Sequence, residues 1–288
     1  MLSARRRVRV VVNANASGID SVRSTMRDAI DALEHAGAEP SAVATGSLRE
    51  LADAIAESDG RRLVLVGGDG AVHAAANAGA TGELALLPAG RANNIARGLG
   101  IPSSWPSAAA LAVGAPAPPL DLLSVETADR SLLAVEGFSA GFQAAARSRY
   151  RGANSADLGA GVVALMRALA THRPYAVELE VDGEALSLSA SQLFVANMPL
   201  FGFGFRVAPG ARPDDGEADL VVLPPRSRGT ILPELARVRV GRHLARGRTR
   251  PADARAAGRP ARARPQRCRA RAPRRPPRAA GASAARCA

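Results

Sequence analysis

The sequence predicts an open, mostly parallel α/β sheet followed by an antiparallel, β-rich second domain. Short branched-apolar runs alternate with helix-spaced segments over the first 118 residues, the pattern of a parallel sheet with crossover helices. Loops of glycine and small polar residues follow three of those runs. Beyond Pro116-Ala117-Pro118-Pro119, a stiff connector, strand patterns follow one another with a single helix pattern between them.

In order, Val8–Val12 is a first strand opening into Asn13-Ala14-Asn15-Ala16-Ser17-Gly18. Ser21–His35 has helical spacing at Val22, Met26, Ile30 and Leu33, and Gly37 stops it. Ala42–Thr45 reads as a short strand and Ser47–Glu57 as a helix. Leu63-Val64-Leu65-Val66 then runs into Gly67-Gly68-Asp69-Gly70, with a helical pattern over Ala71–Ala78. A continuous apolar run of this kind is a parallel strand buried on both faces. Glu83–Leu87 is the next strand, Pro88–Asn94 its loop and Ile95–Leu99 a helix broken by Gly100 and Pro102. In the second domain, Leu120–Val125, Leu132–Phe138, Tyr175–Val181, Ala185–Leu188 and Gln192–Ala196 read as strands, and Leu158–Ala170 as the helix. Asp182-Gly183 is a hairpin signal.

In open parallel sheets ligands bind outside the carboxyl ends of the strands. The loops Asn13–Gly18, Gly67–Gly70 and Gly90–Asn94 all fall there. Glycines leave backbone N–H groups uncovered, and the helix that follows turns its positive end toward the loop, so an anion is favoured. Asp69 is the anomaly. A carboxylate repels phosphate unless a cation lies between, which points to Mg²⁺.

The charge is unevenly spread. The chain carries +12 and no lysine, but 14 arginines and one acid lie from Ala245 onward, leaving the body near neutral. Both cysteines, Cys268 and Cys287, sit in that stretch, so the body has no disulfide framework or thiolate metal site. The four histidines lack metal-ligand spacing. No signal peptide and no apolar stretch of bilayer-spanning length is seen, so a cytoplasmic protein is expected. No internal repeat is found. From Ala245 the periodicity ends in Ala, Arg, Pro and Gly, which predicts a disordered tail over 245–288.

Several loops match one family in chain order: Asn13…Ser17-Gly18, Gly67-Gly68-Asp69-Gly70, Leu87-Pro88-Ala89-Gly90-Arg91-Ala92-Asn93-Asn94-Ile95-Ala96-Arg97, Gly137-Phe138-Ser139-Ala140-Gly141-Phe142, Ala196-Asn197, and Ala208–Ala211 leading to Asp214-Asp215-Gly216. Over residues 8–223 the sequence resembles the diacylglycerol kinase catalytic-domain family, in its bacterial lipid-kinase branch related to sphingosine kinase. The resemblance implies an α/β nucleotide-binding domain over 1–118, a β-rich, sandwich-like second domain over 119–244, truncated here, and the basic tail. It implies an ATP-dependent kinase that phosphorylates the hydroxyl of a diacylglycerol-like or sphingoid lipid, works at the membrane surface as a peripheral protein, is open to homodimerisation, and has no nucleic-acid partner. By position, Asn13, Ser17, Gly18, Thr45, the loop Gly67, Gly68, Asp69, Gly70, Ala71 and His73, and Gly90, Arg91, Asn93 and Asn94 would hold the nucleotide. Asp69 would be the catalytic carboxylate and engage Mg²⁺. Asp215, with the backbone carbonyls of Arg212 and Glu217, resembles a second Mg²⁺ site.

The departures from the pattern are specific. Ala71 stands where the family has Thr, Ala74 where Glu is common, Arg91 where Thr is usual and Asn94 where Asp is usual. Family members carry an Asp-Gly-Glu near the C-terminus whose Glu is the general base; none occurs after Leu244, and Asp182-Gly183-Glu184 lies in a hairpin. The tail reads as a frameshifted C-terminus of GC-rich DNA, as a basic arm for anionic partners, or as an inert extension. The alternatives to a lipid kinase are a soluble kinase resembling NAD kinase and a catalytically impaired nucleotide-binding homologue.

Overall fold

The computed structural model describes residues 5–16, 18–58, 60–127, 129–150, 158–202 and 204–245, with short segments at 261–263, 268–269 and 286–287. The chain divides into two compact units, one of residues 1–120 with Gly202–Gly204, the other of 121–201 and 205–288.

The first unit alternates strand and helix: β1(Arg6–Asn13), α1(Val22–His35), β2(Ala38–Thr45), α2(Leu48–Ala56), β3(Arg62–Gly67), α3(Asp69–Asn77), β4(Leu84–Pro88), α4(Asn94–Gly98) and α5(Trp105–Gly114). The strands form one parallel sheet in the order β2-β1-β3-β4. Every residue of β3 is buried, as its unbroken apolar run requires. Val10, Val12, Val64 and Val66 pack with Leu33 of α1 and Ala108, Ala109 and Ala112 of α5. The alternate residues Val11 and Leu65 are buried too, since side chains on successive strand positions point to opposite faces. Ser21 and Ser47 cap α1 and α2, their hydroxyls accepting from Ser24 N and Glu50 N.

Beyond shifts of one or two residues at the ends of β1, β4 and α4, three elements differ from the sequence reading. β2 is longer than Ala42–Thr45, because β1 pairs with it from Arg6↔Ala38 to Asn13↔Thr45. α3 starts at Asp69, not Ala71, since Gly68 is already the extended cap residue. α5 is unforeseen: ten residues low in contrast between faces, opened by Ser104 and Pro106, a proline-in-first-turn start that the sequence did carry.

Arg62 locks α5 to the sheet at the end away from the loops. It is 6% exposed. Its Nε donates to Glu83 Oε2 at 2.9 Å, Nη2 lies 2.8 Å from the same oxygen, and Nη1 donates to the carbonyls of Ala112 and, at 2.9 Å, Ala115. A cation at the C-terminal carbonyls of a helix also meets the negative end of its dipole. Arg62→Met is expected to cost about 2–3 kcal/mol, because buried carbonyls lose a charged donor while Glu83 stays hydrated. Chemical denaturation would show the loss, with nucleotide binding of the folded fraction unchanged.

The second unit comprises β5(Leu123–Glu126), β6(Ser131–Ala134), β7(Gly137–Gly141), α6(Phe142–Tyr150), α7(Leu158–Thr171), β8(Tyr175–Val181), β9(Glu184–Ala190), β10(Gln192–Ala196), β11(Ala218–Leu223), α8(Ile231–Arg239) and a 3-10 turn, His243–Ala245. β7, β10 and β11 form an antiparallel sheet. Leu193, Val195, Leu220 and Val222 on one face pack with residues of β5, β6, β8 and β9. Phe194, Ala196, Val221 and Leu223 on the other pack with Val207, Ala208 and Val238 of α8. This is a sandwich of antiparallel layers. The single strand expected over Leu132–Phe138 is two, because Gly137 at φ 135° turns the chain between β6 and β7. The hairpin at Asp182-Gly183 has both residues at positive φ, 52° and 81°, as a type I′ turn demands. In the tail, β12(Ala261–Ala263) pairs with β11, β13(Cys268–Arg269) with β8, and β14(Arg286–Cys287) with β13. Nothing in the residue pattern marked these short pairings; the remaining tail positions lie outside the described residues.

Tyr175 ties the layers together. Its hydroxyl donates to the Ala140 carbonyl at 2.8 Å, and burial pushes its pKa up to about 12. The unfolded chain ionises near pH 10, so Tyr175 contributes stability below that pH and loses it progressively up to about 12. In a Tyr150→Phe background, ultraviolet titration should show one tyrosine ionising near that value; ionisation near 10 would contradict it.

Candidate functional site

The sheet order β2-β1-β3-β4 means that the chain leaves β1 in one direction and returns on its other side at β3. The switch point therefore lies between β1 and β3, where parallel sheets hold ligands. The loops after those strands, and the loop after β4, meet at this rim. Gly18 N donates to the Ala89 carbonyl at 3.1 Å, Ala89 N to Gly67 O at 2.8 Å, and Ala14 N to Thr45 O at 2.9 Å. Asn13 Oδ1 accepts from Asn15 N at 3.0 Å, and Asn15 Nδ2 donates to Gly46 O at 2.8 Å. A contiguous backbone network thus joins four strand ends.

Glycine is required where two of these loops cross. A Cβ on Gly68 would lie 2.8 Å from Gly90 Cα, and one on Gly90 would lie 2.6 Å from Gly68 Cα. Beside the crossing, Asn93 adopts a left-handed conformation, φ 46°. Its side chain closes a local loop, Oδ1 accepting from Gly90 N at 2.9 Å and Nδ2 donating to Gly90 O at 2.7 Å. Asparagine tolerates that region better than most residues. Gly70, by contrast, is exposed, with open space where a Cβ would go.

Asp69 is the first residue of α3, and its Oδ1 accepts from Ile95 N at the start of α4 at 2.8 Å. The carboxylate therefore sits at the positive ends of two helices and ties the Gly67–Gly70 loop to the Gly90–Asn94 loop. Asn94 is 1% exposed. Its Nδ2 donates to the carbonyl of Gly202, which clusters with this unit, while its Oδ1 is buried with no hydrogen-bond partner among the described residues. A buried orphan oxygen one residue from the Asp69 contact fits an acceptor for a bound ligand or its water.

The first-unit residues singled out from sequence thus gather at one rim: Asn13, Gly18, Thr45, Gly67, Gly68, Asp69, Gly70, Gly90, Arg91, Asn93 and Asn94. Arg91 is exposed, Thr45 is buried and His73 is half-buried on α3. Ala71 is buried and faces Gly67. Ser17 lies outside the described residues.

Arg212, Asp215 and Glu217 belong to the second unit and form a separate turn. Arg212 Nε pairs with Asp214 Oδ1 at 3.3 Å, and Glu217 N donates to Asp215 Oδ1 at 3.1 Å. The turn is organised by Asp121, which the sequence reading missed. Its Oδ2 accepts from Gly216 N at 2.7 Å, its N donates to Pro213 O at 2.7 Å, and its carbonyl accepts from the fully buried Asn197 at 2.7 Å. The only signal was an isolated acid following the proline connector. Among the described residues, no group of three or more His, Cys, Asp and Glu side chains has metal-binding geometry, so any ion here would need backbone oxygens. No described helix is long and apolar enough to cross a membrane.

A parallel α/β unit with a glycine-crossed rim and a β-sandwich unit define the class: a diacylglycerol kinase-like fold. Residues 7–125 match the diacylglycerol kinase catalytic domain, and residues 137–258 the YegS C-terminal NAD kinase beta sandwich-like domain. That second match runs past Ala245. A Pseudomonas aeruginosa protein described as "Probable lipid kinase YegS-like" is 30% identical over 236 residues, 76% of this chain and 72% of its own length. A Shewanella frigidimarina protein of the same description is 31% identical over 186 residues, 61% and 58% of the two chains. Among solved structures, a diacylglycerol kinase from Bacillus anthracis superposes with a TM-score of 0.61 at 17% identity, covering 93% of this chain and 86% of its own. A second structure from that organism reaches 0.67 at 16% identity, covering 99% and 95%. The chain belongs to the YegS-like lipid kinase family.

Proposed function

We propose that this chain is an ATP- and Mg²⁺-dependent kinase that phosphorylates the hydroxyl of a diacylglycerol-like or sphingoid lipid. The observation that carries the reading is the backbone-linked rim at the switch point, with Asp69 held between two helix N-termini and an orphan oxygen on Asn94 beside it. Membership of a lipid kinase family supports a lipid as the acceptor.

In the proposed reaction the acceptor oxygen bonds to the γ-phosphorus, the bond from that phosphorus to its bridging oxygen breaks, ADP leaves, and the hydroxyl proton passes to a base or water. Such transfer depends mostly on positioning and on neutralising phosphate charge. Backbone N–H groups of the Gly67–Gly70 turn and the N-terminus of α3 would bind phosphate oxygens. Arg91, exposed on its loop, would add a charged donor where the family has a hydroxyl. Asn13, Ser17, Gly18, Thr45 and His73 would line the nucleotide. Asp69 would hold Mg²⁺, with Asn94 Oδ1 accepting from water on the ion. Mg²⁺ when bound would offset the phosphate charge. Asp215, with the carbonyls of Arg212 and Glu217, would hold the second ion. Asn94→Asp, by restoring the usual carboxylate, is expected to make nucleotide binding depend more steeply on Mg²⁺; a titration of binding against the ion would show it.

The decisive assay offers Mg·ATP with short-chain diacylglycerol, sphingosine and NAD to the full chain. Phosphorylated lipid supports the proposal. Phosphorylated NAD instead would establish the soluble-kinase alternative. Binding of ATP with no transfer would favour the impaired homologue, for which Ala71, Asn94 and the lack of an Asp-Gly-Glu after Leu244 are the specific signs.

A further inference from the structure

α7 packs into the second unit through Ala164 and Ala168, which are 5% and 2% exposed, with Ala168 against Phe142 and Ile231. The opposite face carries Val163 and Met166, 48% and 56% exposed, with Leu165, 37% exposed, on the flank. Positions 163, 166 and 170 follow helical spacing, so they form one stripe. No acidic residue occurs in α6 or α7. Residues 142–174 hold five arginines against one acid, Asp157, whereas the rest of residues 1–244 holds 19 arginines against 24 acids. Arg147, Arg167 and Arg173 are all exposed.

We infer that this face of α7 docks on an anionic lipid surface. A helix with an exposed apolar stripe and arginines around it lies in a headgroup layer, its apolar side chains below the phosphates and its guanidinium groups among them. Charge selects this occupant over the two others at hand. A second copy seated through the same face would bring its own Arg147, Arg167 and Arg173 against these, and the chain's own tail carries 14 arginines. Either would repel the face, whereas an anionic membrane complements it. The inference rests on the lipid-acceptor reading for its purpose only, since a kinase that takes a bilayer lipid needs a way to sit on the bilayer.

The arginine tail would itself bind anionic vesicles, so the test must report insertion of α7. In a full chain with Cys268→Ser and Cys287→Ser, Met166→Cys is labelled with an environment-sensitive fluorophore. Leu48→Cys, at an exposed position of the first unit, is the control. With vesicles of phosphatidylcholine containing phosphatidylglycerol, emission from position 166 should shift to the blue and brighten severalfold, and that from position 48 should not. The unlabelled double variant Val163→Ser with Met166→Ser should bind these vesicles about tenfold to a hundredfold more weakly at high salt, where tail binding is screened. Its thermal transition should match the parent's. Replacing Arg147, Arg167 and Arg173 by Gln should abolish the preference for phosphatidylglycerol shown by the label at 166. An unchanged label at 166 on vesicles that sediment the protein would overturn the inference. So would a blue shift that depends on protein concentration without vesicles, which would assign the face to a second copy. No arm requires turnover, so docking and kinase activity can each fail alone.

Discussion

Asp69→Asn is expected to lower phosphoryl transfer about 10²–10³-fold, the scale set by removing one charge-stabilising group from a reaction centre. The chain should remain folded, because an amide oxygen at the same position can still accept from Ile95 N, the bond that ties the two loops. Asp69→Ala removes both the charge and the tie. It should abolish the calorimetric heat of Mg·ATP binding and slightly lower the thermal transition, by about the 1 kcal/mol of one hydrogen bond. The two variants separate the roles. If Asp69 is only a structural tie, the asparagine variant will bind Mg·ATP and turn over normally while the alanine variant is destabilised. If it engages the metal, the asparagine variant loses magnesium-dependent binding with its stability intact. Normal Mg·ATP binding by the alanine variant would remove the nucleotide from this rim altogether.

The first unit was legible because parallel strands advertise themselves. Leu63–Val66 is apolar at every position and is buried at every position. The loops at the strand ends were legible for the same reason, since they follow from where the runs stop. Three helices and one strand of the body were not. α5 and α6 are alanine-heavy and offer little contrast between faces, and α8 carries Pro233, a residue that reads as a helix breaker but sits in the tolerated first turn. β11, Ala218–Leu223, is a short apolar run directly behind an acidic turn, too brief for its spacing to separate a strand from a helix segment. Partnerships across long chain separations were also hidden. That Asp121 would organise a turn 95 residues later, or that Asn197 would be buried beneath it, depends on tertiary packing that no local spacing encodes. Asp69 shows both sides. Its anomaly, a carboxylate in a glycine turn at the start of a helix, could be read from four letters; its bond to Ile95 N, 26 residues on, could not.

Alanine at the glycines of the rim should divide them by what their missing side chains leave room for. Gly90→Ala places a methyl 2.6 Å from Gly68 Cα and 2.7 Å from Asn93 Oδ1, and Gly68→Ala places one 2.8 Å from Gly90 Cα. The obstacle in each case is backbone, which cannot swing aside as a long side chain can. The strand ends behind the two loops are joined through Ala89 N to Gly67 O, and the second loop is closed on itself by Asn93 and Gly90. Overpacking of this kind costs about 1–3 kcal/mol, which for a chain of this size lowers the melting temperature by roughly 2–4 °C per kcal/mol. The folded fraction should bind nucleotide weakly, because the crossing sets the spacing of the two loops. Gly70→Ala is the informative contrast. Beyond its chain neighbours and its own helix backbone, its Cβ would meet no described atom within 4 Å, so scanning calorimetry should show an unchanged transition. Yet the new methyl stands in the space where phosphate oxygens would approach the turn. Mg·ATP affinity should fall about tenfold or more for the loss of one charge-assisted hydrogen bond. If Gly70→Ala leaves both stability and affinity untouched, the open space beside the turn is ordinary solvent, and the phosphates must be sought elsewhere on the rim.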